Sequence, residues 1–569
     1  MRHSIIFGIF ITIVLISQYV MAHPEGDKIL AQQTLYEWAN ALEDGDPNKM
    51  TKILSSNFTS EFLDSQMMVD REQYLNALRP RTKLSFQYAR SKKTNDNTMT
   101  VSNIVYKTPL HSKMLYTITL TKSHADWKVQ KETLTAHIPM DIAKDIIGKN
   151  LPETVITYPV SVSIQEVTTG SPVYARIRIV DEQGDYWPPR GHQKYIGTDY
   201  LIDVGGDVKL GQKTYAYVKP NFTIDLPPGK YRIYGAKGME YSPANKTFEV
   251  TAGRKTDINL KFTRWINMND RDWFSGDNHT HALTSYNALL EAEAEGLNVV
   301  SILATKWGET ITDVTHITGK PSPVSKPNRI VFYNEETRHN FLGHAILHPI
   351  KTPVYPLTWG GPFEGVPGGV DYPTMAQQAD KTHAQGGIVS WAHFPNPAGE
   401  LAIDVALGKI DSVDLFTFGN PFLSPAKDWK GNTSPGAVEW WYKLLNTGAR
   451  LPVSAGTDKM SNGRLSGAVR TYAYLGKKTL SYDTWAKAIQ QGQTFVTTGP
   501  MLSLTANGRP IGSIIKLGSG GQITLEAEVE APHKRFPWNR FEIVQNGKVI
   551  ASHTNPDKRN KIKLNVQVN

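Results

Sequence analysis

Apolar and polar positions change period several times along the chain, and each change marks a different kind of element. Over residues 28–41, Leu30, Leu35 and Trp38 recur at helical spacing and Leu42 extends the row; residues 50–62 continue as helix with a break at Asn57. From Leu84 onward the period falls to two. Residues 98–106, 114–121 and 127–134 alternate as strands joined by polar turns, so helices precede a curved antiparallel sheet. Across 155–263 the segments shorten to 160–167, 175–180, 214–218, 221–226, 230–234, 246–250 and 256–262, with a turn at Pro227-Pro228-Gly229-Lys230. That rhythm predicts an antiparallel β-sandwich.

In the stretch 266–500 strand-like apolar runs (299–304, 329–333, 387–392, 413–418 and 451–455) alternate with helical ones, which predicts an α/β barrel. Such a barrel carries its functional side chains at the C-terminal ends of its strands. The chemistry-bearing residues fall there: Glu335 and Glu336 after the second run, His393 after the third, Asp458 after the last. Residues 501–569 return to strands and turns. The chain is therefore expected to be multidomain: 1–22, an export signal; 23–145, an α+β cone; 155–263, a sandwich; 266–500, the barrel; 501–569, a β-rich segment.

The first 22 residues justify their separate place. Arg2 and His3 give a basic start, residues 5–16 are apolar, and Val20-Met21-Ala22 offers small or apolar residues at the cleavage positions. The apolar run is shorter than the roughly 20 residues a membrane span needs. A periplasmic or secreted protein with no membrane span after signal cleavage is expected. With no Cys, it cannot be a lipoprotein, a thiol hydrolase or a Cys-type zinc protein, and any metal must be held by His, Asp and Glu. The formal net charge of +9 comes from 62 basic and 53 acidic side chains spread along the chain. The basic clusters at 79–93 and 558–563 lack interleaved stacking aromatics, so no nucleic-acid partner is expected.

The densest chemistry begins at Ser275-Gly276-Asp277-Asn278-His279-Thr280-His281. Two His one residue apart point to the same face of a strand and reach one divalent ion together. Eight of the 16 His lie between His279 and His393. Spacing alone leaves Glu335 and Glu336 as rival ligands. Satisfied or surface roles are expected for His316, His339, His348 and His383. Trp307, Trp359 and Trp391 either line the barrel mouth or pack its core, and Tyr186, Trp187 and 215–217 either form a carbohydrate platform or fill the sandwich. No nucleophile elbow, phosphate-binding loop or dinucleotide fingerprint is present.

Three resemblances sharpen these expectations. Ala41-Leu42-Glu43-Asp44-Gly45-Asp46 and Asp126-Trp127-Lys128-Val129 make the region 25–140 resemble the NTF2-like (SnoaL-like) cone fold. Residues 155–263 look like a carboxypeptidase-regulatory or immunoglobulin-like module. The ordered set Gly276-Asp277-Asn278-His279-Thr280-His281, Glu335-Glu336-Thr337-Arg338-His339 with Gly343-His344, Gly386 to His393, and Gly456-Thr457-Asp458 resembles the PHP (polymerase and histidinol phosphatase) superfamily. Leu444-Leu445-Asn446-Thr447-Gly448, 455–462 and 492–500 bring it nearer to the CehA/McbA group, named after a carbaryl hydrolase.

That resemblance implies a distorted (β/α)7 barrel and a metal-dependent hydrolase acting on a small-molecule or glycan-like substrate. It implies about two divalent transition-metal ions, zinc, manganese or iron: His279, His281, Glu336 and Asp458 would hold one, and Glu336 would bridge to a second held by His344 and His393. The eight-residue step from Glu336 to His344 fits the family pattern better than one from Glu335. Two departures stand out. Ala304-Thr305-Lys306-Trp307 replaces Thr-Asp-His-Asn, and Asp458-Lys459-Met460 replaces Asp-x-His, so the third metal position is lost. Lys306 and Asp458 are then the expected catalytic residues: Lys306 either steadies oxygen charge or turns out of the site or pairs with an acid such as Asp458, and Asp458 or a nearby His moves a proton. The competing expectation is a catalytically inactive cell-envelope binding protein.

Overall fold

The computed structural model describes residues 31–136 and 156–568, apart from short gaps and the longer stretches 197–205, 358–371 and 418–435. The expected export signal and Trp359 lie outside the described residues, as does the side chain of Trp307. The chain divides into two compact units between residues 154 and 155.

The first unit is a seven-stranded mixed sheet with short helices. Its long antiparallel strands Thr98–Lys107, Lys113–Ser123 and Asp126–Ala136 follow the alternation in the sequence. Leu35, Trp38, Leu42, Phe58 and Trp127 share one core. The expected helix over 50–62 is corrected. Helix Pro47–Ile53 starts on Asp46, whose side chain accepts from the Asn48 and Lys49 N–H groups, and stops at Leu54, which has extended backbone. Leu54–Phe62 is a strand beside Asp126–Ala136, since Ser55, Ser56, Asn57 and Thr59 are poor helix formers and Phe58 finds its place in the sheet core. A buried polar trio was not foreseen: Ser60 and Tyr74 donate to Glu132 at 3.2 and 2.6 Å.

The second unit opens with two facing sheets. Asp207–Leu210, Lys213–Val218, Ala175–Asp181, Gly229–Ala236 and Ala244–Val250 pair in that order. Opposite them lie Asn221–Leu226, Tyr158–Glu166 and Thr256–Phe262. Alternate residues such as Val160, Val162, Ile177, Ile179, Ile258 and Leu260 meet between them. The sandwich aromatics take the second of their two expected roles and fill the fold. Tyr186 and Tyr217 are buried, and half-buried Trp187 meets Tyr231 edge-on and donates to Asp181 at 2.9 Å.

A ten-stranded, nearly closed sheet follows. In chain order its strands are β1 (Trp273–Thr280), β2 (Val299–Trp307), β3 (Thr310–Thr312), β4 (Ile330–His339), β5 (Gly343–His348), β6 (Ile388–Trp391), β7 (Ser412–Phe416), β8 (Val453–Ala455), β9 (Arg470–Tyr474) and β10 (Thr494–Thr497). The spatial order is β8-β7-β6-β5-β4-β2-β1-β9-β10, with β3 folded back on β2. Side chains close the remaining gap: Thr494 donates to the Val453 carbonyl at 2.7 Å, and the Thr471 hydroxyl bridges both backbone groups of Ala455.

Regular strand–helix alternation is not what these residues adopt. β4 and β5 form an antiparallel pair, β9 runs antiparallel to both neighbours, and the described helices here are few. The chain is thus multidomain and mostly β, with a barrel-like sheet in its second unit. Residues after 500 add the sheet built on Met501–Ala506, Ile523–Glu530 and Lys561–Val568 and the hairpin Arg540–Gln545/Lys548–Thr554. No described helix is long and apolar enough to cross a membrane.

Candidate metal centre

Strand direction gathers the site. β1, β2, β4, β6, β7 and β8 are parallel or joined through β5 in a common sense, so their C-terminal ends share one mouth with the start of antiparallel β5. His279 and His281, one residue apart, face inward, while Thr280 between them turns away and donates to the Ser301 carbonyl at 2.7 Å.

The residues after β8 pass very close to β1. A side chain on Gly456 would place its Cβ 2.3 Å from the His279 Cβ, so only glycine fits. The 457–467 loop is tied by buried Asp277, which accepts from the Thr457 N–H (2.9 Å), the Thr457 hydroxyl (2.6 Å) and the Gly467 N–H (2.7 Å). Asp458 and His393 both hold left-handed backbone, φ 46° and 34°. For non-glycine residues that strain of about 1–3 kcal/mol persists where surrounding structure enforces a particular placement.

Two groups of donors result, His279 with His281 and Asp458, and Glu336 with His344 and His393; within each the ligand atoms lie within 4.8 Å of one another. Asp458 Oδ1 is 3.3 Å from His279 Nε2 and 3.4 Å from His281 Nε2. Glu336 stands between the groups: Oε2 is 3.1 Å from His281 Nε2, and Oε1 is 3.4 Å from both His344 Nδ1 and His393 Nε2. His279 Nε2, both Glu336 carboxylate oxygens and Asp458 Oδ1 are buried without a hydrogen-bond partner. Buried polar atoms are ordinarily satisfied, so convergent orphans of this chemistry fit divalent metal ions.

Further groups aim the ligands. Asp414 Oδ2 lies 3.0 Å from His279 Nδ1, and the Leu303 carbonyl lies 3.1 Å from His281 Nδ1. Both place the ring proton on Nδ1 and turn the Nε2 lone pair inward. Burial acts against ionisation of Glu336 and Asp458, yet Arg338 and the two imidazoles hold Glu336 well below the carboxylate range, and the imidazoles do the same to Asp458. Against that burial, Asp458, Asp414 and Glu336 raise the His279 imidazole. Without metal, imidazolium protons balance the carboxylates; bound ions would displace them.

Glu335 points the other way. Its Oε2 accepts from the Val354 N–H at 2.8 Å, and burial pushes its carboxyl up to about 8. Half-buried Lys306 sits near the end of β2 and forms no ion pair with Asp458. Lys459 is committed elsewhere: its ammonium donates to both oxygens of buried Glu291, at 2.7 and 2.8 Å. His339 accepts from the Leu342 N–H, His383 meets Asp411 at 2.8 Å, His316 stacks on Tyr333, and His348 lies in a separate buried network. Trp391 is core, edge-on to Phe394. Sequence reasoning missed Asp414, although a carboxylate inside the apolar run of β7 was its signal.

No protein-family model and no curated protein matches the chain. Among solved structures, an NTF2-like protein from Cytophaga hutchinsonii is 17% identical, covering 20% of this chain and 99% of that one, with a TM-score of 0.18. An NTF2-like protein of unknown function in nutrient uptake from Rhodospirillum rubrum is 12% identical, with coverages of 19% and 98% and a TM-score of 0.17.

Proposed function

We propose that this chain is an exported metal-dependent hydrolase of the PHP type, nearest the CehA/McbA group, that cleaves an ester, carbamate or phosphoester of a small molecule or glycan. An NTF2-like unit precedes its sandwich and its barrel-like sheet. One observation carries the reading: five buried His, Glu and Asp side chains and the half-buried His393, from five strands or their ends, converge as two donor groups around Glu336.

His279, His281 and Asp458 would hold one divalent ion, His344 and His393 a second, and Glu336 both. Zinc, manganese or iron suits this donor set. Ions there would supply Lewis acidity and activate water near neutral pH. Asp414 and the Leu303 carbonyl keep the two imidazoles aimed. Asp458 or a nearby His would move the proton that the attacking water gives up. Lys306 supplies a positive donor for the oxygen that gains charge as water attacks, an effect worth about 2.7–4 kcal/mol in the transition state.

The test is elemental analysis of purified protein together with nitrophenyl phosphates, nitrophenyl acetates and naphthyl carbamates, with and without chelator. About two ions per chain and chelator-sensitive turnover of one ester class are expected. Lys306→Met should keep the metal and KM but lower kcat by roughly a hundredfold or more. Metal without turnover on any class would favour the binding-protein alternative; no metal under any loading condition would end both the hydrolase and the metal reading.

A further inference from the structure

A second concentration of buried charge lies where the sandwich, the barrel-like sheet and the C-terminal segment meet. A cavity of about 40 Å³ there is lined by Lys237, Glu240, Arg264, Glu295, Arg329 and Arg470, among others. At about 10–15 Å³ per water, it holds a few water-sized particles. Sites for organic ligands run to about 300 Å³ or more. Any occupant is therefore monatomic or close to it.

The two lining carboxylates are already engaged. Glu295 is bound by Arg176 at 2.7 Å, and Glu240 by Arg264 at 2.5 Å and by the Tyr472 hydroxyl at 3.0 Å. Lys237 donates to the Tyr174 and Glu293 carbonyls at 3.1 and 2.7 Å, and Arg470 to the Gly467 and Glu295 carbonyls at 2.8 and 3.1 Å. Arg329 donates to the Asn328 carbonyl, with Glu293 3.3 Å from its Nε. Outside the lining, Arg535 of the C-terminal segment donates to the Gly238 carbonyl, and its Nη1 is buried without a hydrogen-bond partner. Carbonyls satisfy N–H groups, and those at the end of helix Ser285–Glu295 also offer a partial negative charge. They do not cancel a full charge held away from water.

The strain shows in the groups themselves. Burial and the neighbouring Arg329 push the Lys237 ammonium down to about 7. Burial, with Arg176 and Arg470 as like-charged neighbours, brings Arg535 down to about 10 despite Glu295. A water molecule in the cavity would add hydrogen bonds and leave the charge uncompensated.

We propose that this cavity binds a small monovalent inorganic anion of the halide class, held by Lys237 and Arg470, the two lining cations that donate to carbonyls and have no carboxylate ion-pair partner among the described residues. Halide binding there does not require the hydrolase reading. Arg470 holds the Gly467 carbonyl while the Gly467 N–H holds Asp277, so the anion also steadies one end of the loop that carries Asp458.

Bromide is the probe. Crystals of the full chain equilibrated with sodium bromide are expected to show an anomalous bromine peak in the cavity, within hydrogen-bond reach of both Lys237 and Arg470. Bromine found only on the surface, or water alone in the cavity, overturns the proposal. In solution, chloride-35 line broadening should saturate with chloride concentration, and Lys237→Met should weaken that binding at least tenfold. Absence of saturable broadening in the wild-type protein, or an unchanged affinity in a folded Lys237→Met, also overturns it. Should Lys237→Met fail to fold, the bromide and wild-type chloride measurements decide alone.

Discussion

At the scale of single residues, neighbours in sequence are assigned opposite work. Glu335 and Glu336 sit side by side on β4, where consecutive side chains leave opposite faces, and only Glu336 faces the imidazoles. The sequence left them as rivals because this strand is buried on both faces, so there is no hydrophobic alternation to tell inside from outside. Asp414 escaped notice for a related reason: its partner His279 is 135 residues away in the chain. The prediction at this scale is a contrast. Glu335 is held neutral near pH 7 by burial, so Glu335→Gln replaces one uncharged group by another and should change stability by about 1 kcal/mol or less, with metal content intact. Glu336→Gln removes a ligand from both groups and should lower metal affinity by well over tenfold. Inductively coupled plasma analysis after dialysis against buffered metal reads both, and equal losses would show that the strand face has been misassigned.

At the scale of elements, the barrel-like sheet keeps its polar chemistry at both ends. Toward the end away from the ligands, His348 on β5 shares a proton with the Ser390 hydroxyl at 2.7 Å, and its other nitrogen meets the Tyr482 hydroxyl at 3.2 Å. Ser301 and Asn334 extend the network between β2 and β4. Burial pushes the His348 imidazole down to about 4, so the folded chain holds it neutral while an unfolded one takes up a proton near pH 6.5. Between those values the unfolded state binds more protons, and stability falls as pH falls. Complete protonation of the unfolded state over that window corresponds to a loss of up to about 3 kcal/mol, at about 1.36 kcal/mol per pH unit. Urea unfolding of chelator-treated protein from pH 7 to 4 should show this slope, reduced by nearly one proton in His348→Gln. An identical slope in that variant would place the acid sensitivity elsewhere. The helix expected over 50–62 failed at this same scale, because a run of Ser, Asn and Thr with one aromatic fits a strand as well as a broken helix until the neighbouring strand is known.

At the scale of the whole molecule, every ligand lies in the unit from residue 155 onward, and within that unit the sandwich and the barrel-like sheet are joined by buried charge. Arg176 of the sandwich pairs with Glu295 of the helix after β1, and Glu240 of the sandwich binds Tyr472 of β9. Gly238 lies so close to the Glu295 carbonyl that a Cβ there would come within 1.9 Å of its oxygen, which leaves no room for side chain or water between them. Period and turn chemistry exposed the sandwich strands in the sequence, but a junction made of single long-range pairs has no local signature. Removing one partner of a buried ion pair costs about 3–5 kcal/mol, comparable with the roughly 5–15 kcal/mol that holds a domain folded. A chain beginning at residue 155 should therefore fold and bind the same metal per molecule as the full protein. A chain beginning at residue 266 strands Glu295 and Tyr472 at once and should be insoluble or lack a cooperative thermal transition. Circular dichroism melts and metal analysis of the two truncations distinguish the outcomes. A folded, metal-loaded chain from 266 would mean that the junction contributes little, and that the sandwich is an independent module merely tethered to the metal centre.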